Sequence, residues 1–263
     1  RLRMLKPLLT GIYTIDNLDY VTRDSYMLGI SEAPISVERL LHYSFFTKEG
    51  LTLHKKGIEA LKMFLNLRSY LFSNAYFHRT VRALDRHLRE IFQKTMEIIV
   101  TEDPRKALDK YQRLTDHFLI GEVAAWKNAS EQSKQNLAHD WEQLLNRETR
   151  WKMIAETYVA LKQLPKLTAI ENEESLYKKI KENLPAELKN NEFQVDIASQ
   201  DPRPENLTAM GEEQLYVYDP ESSPQVSQHK LKEYLEEIPS LVVQCRIYAL
   251  NRQNEQALKQ AFQ

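Results

Sequence analysis

Ile15-Asp-Asn-Leu-Asp-Tyr-Val-Thr-Arg-Asp-Ser-Tyr-Met-Leu-Gly29 is the stretch from which the rest of the chain can be read. It contains no proline and ends on a glycine, a residue suited to the left-handed backbone that terminates helices, so it predicts a helix from about Ile15 to Leu28 stopping at Gly29. At about 100° per residue, Asp16, Asp19, Tyr20, Arg23 and Asp24 share one side, and Leu18, Val21, Ser25 and Leu28 share the other. Two readings stay open. The charged stripe can be a wet face on which Asp19 or Asp24 pairs with Arg23. Alternatively, Ile15, Tyr20, Tyr26 and Met27 leave no side fully polar; such a helix tends to be buried, and buried carboxylates need a metal, a cation or several donors.

Working outward, the pattern stays helical to about Ala129. A short helix is expected at Val37–His42 with Ser36 as its N-cap. Tyr43 to His54 reads as two short strands around a Lys48-Glu49-Gly50 turn. Long helices follow at about Ile58–Ser73 and Ala75–Val100, then Thr115–Trp126 and Ser130–Arg147. After about Trp151 the texture changes. Strand patterns at Met153–Leu161, Phe193–Ala198, Leu215–Tyr218 and Val243–Leu250 alternate with helices at Glu173–Asn183, His229–Leu235 and Gln253–Phe262, and Pro- and Ser-containing breaks fall at Ser199–Pro204 and Asp219–Pro224. The expected fold is mainly α: a helical domain over residues 1–150, followed by a small α+β subdomain over residues 151–263 with an antiparallel or mixed sheet.

Composition narrows the functions. The 263 residues carry 36 Lys+Arg against 37 Asp+Glu, a net charge of −1, so there is no whole-protein basic field and nucleic acid is not indicated. Cys245 is the single cysteine, which excludes an internal disulfide and a thiolate metal cluster. Six glycines, with no G-x-G-x-x-G or G-x-x-x-x-G-K-[ST] pattern, argue against a glycine-rich phosphate loop. The opening Arg1-Leu-Arg-Met-Leu-Lys-Pro7 has no initiator Met and no apolar run of signal or membrane-spanning length. It reads as a chain whose upstream part is absent, from a cytoplasmic protein without a membrane segment.

The run Gly11–Gly29, with Asp16-Asn-Leu-Asp19-Tyr20-Val-Thr-Arg23-Asp24-Ser inside it, resembles the final motif of HD-superfamily phosphohydrolases, nearest the deoxynucleoside triphosphate triphosphohydrolase branch. Arg68-Ser-Tyr-Leu-Phe-Ser-Asn-Ala-Tyr76-Phe77-His78-Arg79 resembles a second block of the same family, and Cys245-Arg-Ile-Tyr-Ala249 its C-terminal Arg-x-Tyr strand. The resemblance implies an HD-type helical domain, of which this chain is the C-terminal part, and a hydrolase of nucleotides or other phosphorylated small molecules. It implies Asp16 as catalytic residue and last ligand of a divalent metal (Mn, Mg or Fe). Asn17, Tyr20, Asp24, Arg68, Tyr76 and His78 then face substrate: Tyr20 and Tyr76 beside the nucleoside, Asp24 accepting from the sugar 3′-hydroxyl, Arg68 on phosphate oxygens. Asn17 stands where triphosphohydrolases usually have Lys or Arg, and Phe77 where some relatives have a polar residue, so base preference is not implied.

The family's His and His-Asp metal ligands lie upstream of the Asp16 motif, so the expectation is half a site here and its complement before Arg1. His139-Asp140 falls in the wrong order and reads as surface. A homo-oligomer is implied by family analogy alone. The competing function is a catalytically silent nucleotide-sensing or protein-assembly module on the same scaffold. Among the remaining features, Arg79, Arg82, Arg86 and Arg89 form a basic stripe at helical spacing, read either as a solvated face or as a phosphate contact. His78 reads as a phosphate contact or a satisfied core histidine. Trp126, Trp141 and Trp151 read as packing residues, Cys245 as a small buried residue of a strand, and Lys178-Lys-Ile-Lys181 as solvated.

Overall fold

A computed structural model describes residues 5–30, 36–161, 172–200, 215–235 and 241–262. The Arg1–Met4 opening and residues 201–204 of the first Pro- and Ser-containing break lie outside the described residues. The chain is mainly α with a small α+β part. Its contacts sort it into two units that interleave along the sequence, Arg1–Phe77 with Thr157–Asn172 and Ile197–Cys245, and His78–Glu156 with Glu173–Asp196 and Arg246–Gln263.

In the first unit, α1 (Ile15–Met27) starts where the Thr14 side chain accepts from the Asn17 N–H at 3.0 Å, which satisfies one donor of the open helix end. It stops at Leu28, and Gly29 follows at φ +66°, the conformation for which a glycine is needed. Ser36 caps α2 (Val37–His42). Strands β1 (Ser44–Phe46) and β2 (Leu51–His54) form the expected antiparallel hairpin, with Phe45 opposite Thr52 and Gly50 at φ +141° in the turn. Helix α3 (Ile58–Leu71) buries Leu61, Phe64 and Leu65 against Tyr13, Val21, Leu40 and Leu53. Each such side chain contributes about 1.5–3 kcal/mol of burial.

Two corrections fall here. The helix expected from Ala75 begins at Arg79, because α3 ends in a wide π-helical turn over Phe72–Tyr76. The strand pattern at Leu215–Tyr218 forms β5 (Tyr216–Tyr218), which pairs in parallel with β2 rather than with the other late strands, and β6 (Val226–Ser227) adds to it. Val217 and Leu53 sit opposite each other and both are fully buried, so this register completes the core under the hairpin. The short α9 (His229–Tyr234) places Leu231 in the same core.

In the second unit, α4 (Arg79–Ile99), α6 (Asp116–Ala125) and α7 (Gln132–Leu145) pack around Ile91, Val123, Trp126 and Trp141. Thr115 caps α6, and α5 (Leu108–Gln112) is a short helix that the periodicity did not suggest. Helix α8 (Glu173–Asn183) packs on α10 (Glu255–Phe262). Strands β3 (Lys152–Leu161), β7 (Leu241–Ala249) and β4 (Phe193–Gln200) lie in the order β3-β7-β4, and residues 152–156, 246–249 and 193–196 belong to this unit.

The three tryptophans are buried, Trp141 donating to Thr95 Oγ1 at 2.8 Å and Trp126 to Glu122 Oε1 at 3.2 Å. Cys245 lies on a strand but is half-buried. Lys178 and Lys179 are exposed, His139 is exposed, and Ile180 is buried.

The basic stripe is not a uniform solvated face. Arg82 and Arg86 converge on Asp196, which is fully buried; Arg82 Nη2 lies 2.5 Å and Arg86 Nη2 2.7 Å from Asp196 Oδ1. Arg86 also pairs with Glu173, while Arg89 stays largely exposed. Burial alone would raise the Asp196 pKa, but the hydrogen bonds and charges of Arg82 and Arg86 outweigh it and hold the carboxyl below its ordinary 3.8. A depressed folded-state pKa contributes stability that is fully present above pH 3.8 and is withdrawn as pH falls through the lower native value. Asp196→Ala, which leaves Arg82 only Asp85 and Arg86 only Glu173 as partners, is expected to cost up to about 3 kcal/mol in denaturant unfolding and to flatten the acid limb of the stability profile. An unchanged midpoint would reduce the cluster to a solvent-screened contact.

Candidate functional site

Helix α1 packs along α3 within the first unit. Asp16, Tyr20 and Asp24 recur every four residues on α1, and Arg68, Phe72 and Tyr76 recur every four along α3 and its π turn. The packing joins the two series. Tyr76 donates its phenolic proton to Asp24 Oδ2 at 2.5 Å. Tyr20 meets the Tyr76 ring edge-on, with centroids 6.2 Å apart and planes at 63°. Phe72 also meets Tyr76 edge-on, at 4.9 Å and 83°, and the Arg68 guanidinium stands over the Phe72 ring at 5.8 Å.

The electrostatics follow from this packing. Burial, then the hydrogen bond to Asp24 and the negative charge behind it, push the Tyr76 phenol well above its ordinary 10.0, so Tyr76 remains a donor. Arg68 Nε is buried and meets no acceptor among the described residues. A buried cationic donor with an open hydrogen bond favours an anionic or carbonyl oxygen.

Tyr20, Asp24, Arg68 and Tyr76 are therefore brought into one contact chain. Phe72 is the link that the sequence reading passed over, although its position midway between Arg68 and Tyr76 signals it. Asp16 is exposed in the first turn of α1, where the helix dipole favours a carboxylate, and lies roughly 12 Å along the axis from Asp24. Asn17 is half-buried beside it, with its backbone N–H held by Thr14. His78 is neither a core residue nor part of this chain of contacts; it is exposed, belongs to the second unit, and caps α4 by accepting from the Thr80 N–H at 3.3 Å.

Both readings of the α1 stripe hold in part. Arg23 and Asp19 form an exposed ion pair at 2.8 Å, whereas Tyr20 and Asp24 turn inward. Ile15, Tyr26 and Met27 are exposed, so the helix is not buried on all sides.

Among the described residues no three His, Cys, Asp or Glu side chains come together to hold a metal ion. Asp16 supplies one hard oxygen donor, and the described residues do not complete a metal site around it. The exposed end of the basic stripe lines a recess of about 170 Å³ in the second unit, where Arg79, Lys152 and Arg252 face Thr80 and Thr149 without a carboxylate among the lining residues.

No protein-family model matches the chain. Over 127 residues it is 29% identical to the uncharacterized protein MJ1154 of Methanocaldococcus jannaschii, a match covering 44% of this chain and 28% of that protein. Over 135 residues it is 21% identical to the uncharacterized protein YwfO of Bacillus subtilis, covering 46% and 31% respectively. Among solved structures, a hypothetical protein from Aquifex aeolicus superposes over 99% of this chain and 60% of its own, with a TM-score of 0.67 and 23% identity. The phosphohydrolase BT4208 from Bacteroides thetaiotaomicron superposes over 94% of this chain and 64% of its own, with a TM-score of 0.60 and 17% identity. The matches thus span under a third of the two curated relatives and under two thirds of the two solved chains. What they establish is a shared fold, one that a phosphohydrolase also adopts.

Tyr76→Phe keeps the ring contacts and removes only the donor to Asp24. We expect it to lower stability by about 1–2 kcal/mol in denaturant unfolding, the scale of a hydrogen bond to a partly exposed carboxylate. A neutral result would mean that water replaces the phenol at no cost.

Proposed function

We propose that this chain is the nucleotide-facing part of an HD-type, metal-dependent phosphohydrolase acting on nucleotides in the manner of the deoxynucleoside triphosphate triphosphohydrolases. The observation that carries the reading is the contact chain Arg68–Phe72–Tyr76–Asp24 with Tyr20 against it, which sets a cationic donor and a carboxylate at opposite ends of an aromatic wall. That order matches a nucleotide: phosphate toward Arg68, sugar against the tyrosine rings, and a sugar hydroxyl toward Asp24. Tyr76 occupies Oδ2 of Asp24, and the sugar hydroxyl is assigned to Oδ1. Asn17 beside Asp16 supplies an amide rather than a cation, so the phosphate charge falls chiefly to Arg68.

In the same reading Asp16 is this chain's contribution to a divalent metal site (Mn, Mg or Fe). Its remaining ligands, a His and a His-Asp pair, come from outside the described residues. The metal when bound supplies Lewis-acid activation of water and phosphate; the residues present here bind and orient the nucleotide. His78 is assigned to a phosphate contact made by the assembled protein, which is taken to be a cytoplasmic homo-oligomer.

The test uses the full-length protein and phosphate release from deoxynucleoside triphosphates. Asp16→Ala is expected to abolish metal-dependent turnover with little change in thermal stability, since Asp16 is exposed. Arg68→Ala is expected to raise KM by roughly tenfold to a hundredfold, the worth of a hydrogen bond to a charged group, with a smaller effect on kcat. Unchanged turnover in the first variant removes Asp16 from the site, and an unchanged KM in the second leaves Arg68 as a packing residue.

A further inference from the structure

The second unit holds a polar cavity of about 380 Å³, a size within the range of small-ligand pockets (roughly 300–1,000 Å³). Its charged lining is mixed: Glu90, Asp140 and Glu192 against Lys94 and Arg150. Two of its polar groups are buried without a hydrogen bond. Trp151 is 4% exposed and lines the cavity, and its indole N–H meets no acceptor among the described residues. Glu90 accepts from the Gln194 amide on Oε1, but its Oε2 is buried with no hydrogen bond, the nearest cation being Arg150 Nη1 at 3.7 Å. His87, one turn before Glu90 and Ile91 on the same face of α4, is wholly buried, with neither ring nitrogen partnered among the described residues. Buried donors and acceptors left open in this way carry a desolvation cost that a bound partner removes.

The chemistry of the lining selects the ligand. An inorganic anion meets three carboxylates. A divalent cation finds no trio of ligands, since among the described residues no such group can hold a metal. A simple amine meets Lys94 and Arg150. A zwitterion satisfies both signs at once, and the stacked pair Tyr177–Phe193, with centroids 4.5 Å apart at 23°, supplies an apolar wall beside it.

We propose that this cavity binds a free α-amino acid with an apolar side chain. The ammonium is held by Glu90 Oε2 and Asp140, the carboxylate by Trp151 Nε1 and Arg150, and the side chain lies along Tyr177 and Phe193. This site does not depend on the phosphohydrolase reading and stands or falls without it.

Isothermal calorimetry and thermal unfolding of the intact protein test it, with L-leucine, L-phenylalanine, N-acetyl-L-leucine, L-leucinamide and inorganic phosphate as probes. The expected result is saturable binding of L-leucine or L-phenylalanine with a rise in Tm, and binding at least about tenfold weaker for both blocked leucines, each of which has lost one charge. Glu90→Gln is expected to weaken amino-acid binding about tenfold or more. Should that variant fail to fold, Asp140→Asn on the half-buried face of α7 serves the same purpose. No binding up to about 10 mM, equal binding of the blocked compounds, or tighter binding of phosphate would each overturn the proposal and leave a water-filled cavity or an anion site.

Discussion

The hydrogen bond from Tyr76 to Asp24 ties the C-terminal half of α1 to the wide turn that ends α3, and the candidate site is arranged around it. A carboxylate between two helices is tolerable only if donors meet it, and Tyr76 supplies a phenol that stays protonated because burial and the Asp24 charge both oppose its ionisation. With that bond in place Tyr20 and Phe72 have one ring to pack against, and Arg68 is carried to the far end of the aromatic row. The π turn belongs to this arrangement. A wider turn at Phe72–Tyr76 is a local departure from the α-helical ladder, and such departures are frequent at functional positions.

The second unit solves a harder electrostatic problem. Asp196 is fully buried, and two guanidinium groups spaced one helical turn apart satisfy it. The same helix carries Arg79 and Arg89 to solvent. Four arginines of identical composition and near-identical spacing thus divide into structural and exposed pairs, and what divides them is a carboxylate more than a hundred positions away in the chain.

That division marks the limit of what local sequence carries. Elements whose signals are local were legible: the Ser36 cap, the Gly29 stop, the Gly50 turn, and the helix at Glu173–Asn183. The start of α4 was misplaced because Ala75, Tyr76 and Phe77 carry no local break signal, while the wide turn at Phe72–Tyr76 that ends α3 is visible only in the fold. Leu215–Tyr218 showed itself as a strand but not its partner, since pairing depends on which buried edge is free. In the site, the family resemblance pointed to Tyr20, Asp24, Arg68 and Tyr76, and the four-residue spacing along two packed helices is what brings them together. That Asp16 meets no metal-ligand trio among the described residues agrees with the expectation of half a site here, while its exposure at the helix end was not legible, because burial is a property of residues meeting in space.

The parallel pairing of Thr52 with Tyr216 has a consequence for how the chain is made. On a ribosome the β1–β2 hairpin emerges well before β5, and one edge of β2 keeps its backbone donors and acceptors open until β5 is synthesised. Closing so long a loop is entropically slow, and parallel pairing gains nothing from a tight turn. The nascent first unit therefore carries an unpaired strand edge beside Leu53, a residue that ends fully buried, for as long as the intervening chain takes to be made. That edge is the natural surface for a chaperone or for mispairing with a second nascent copy, and translation past Tyr218 is the event that closes it.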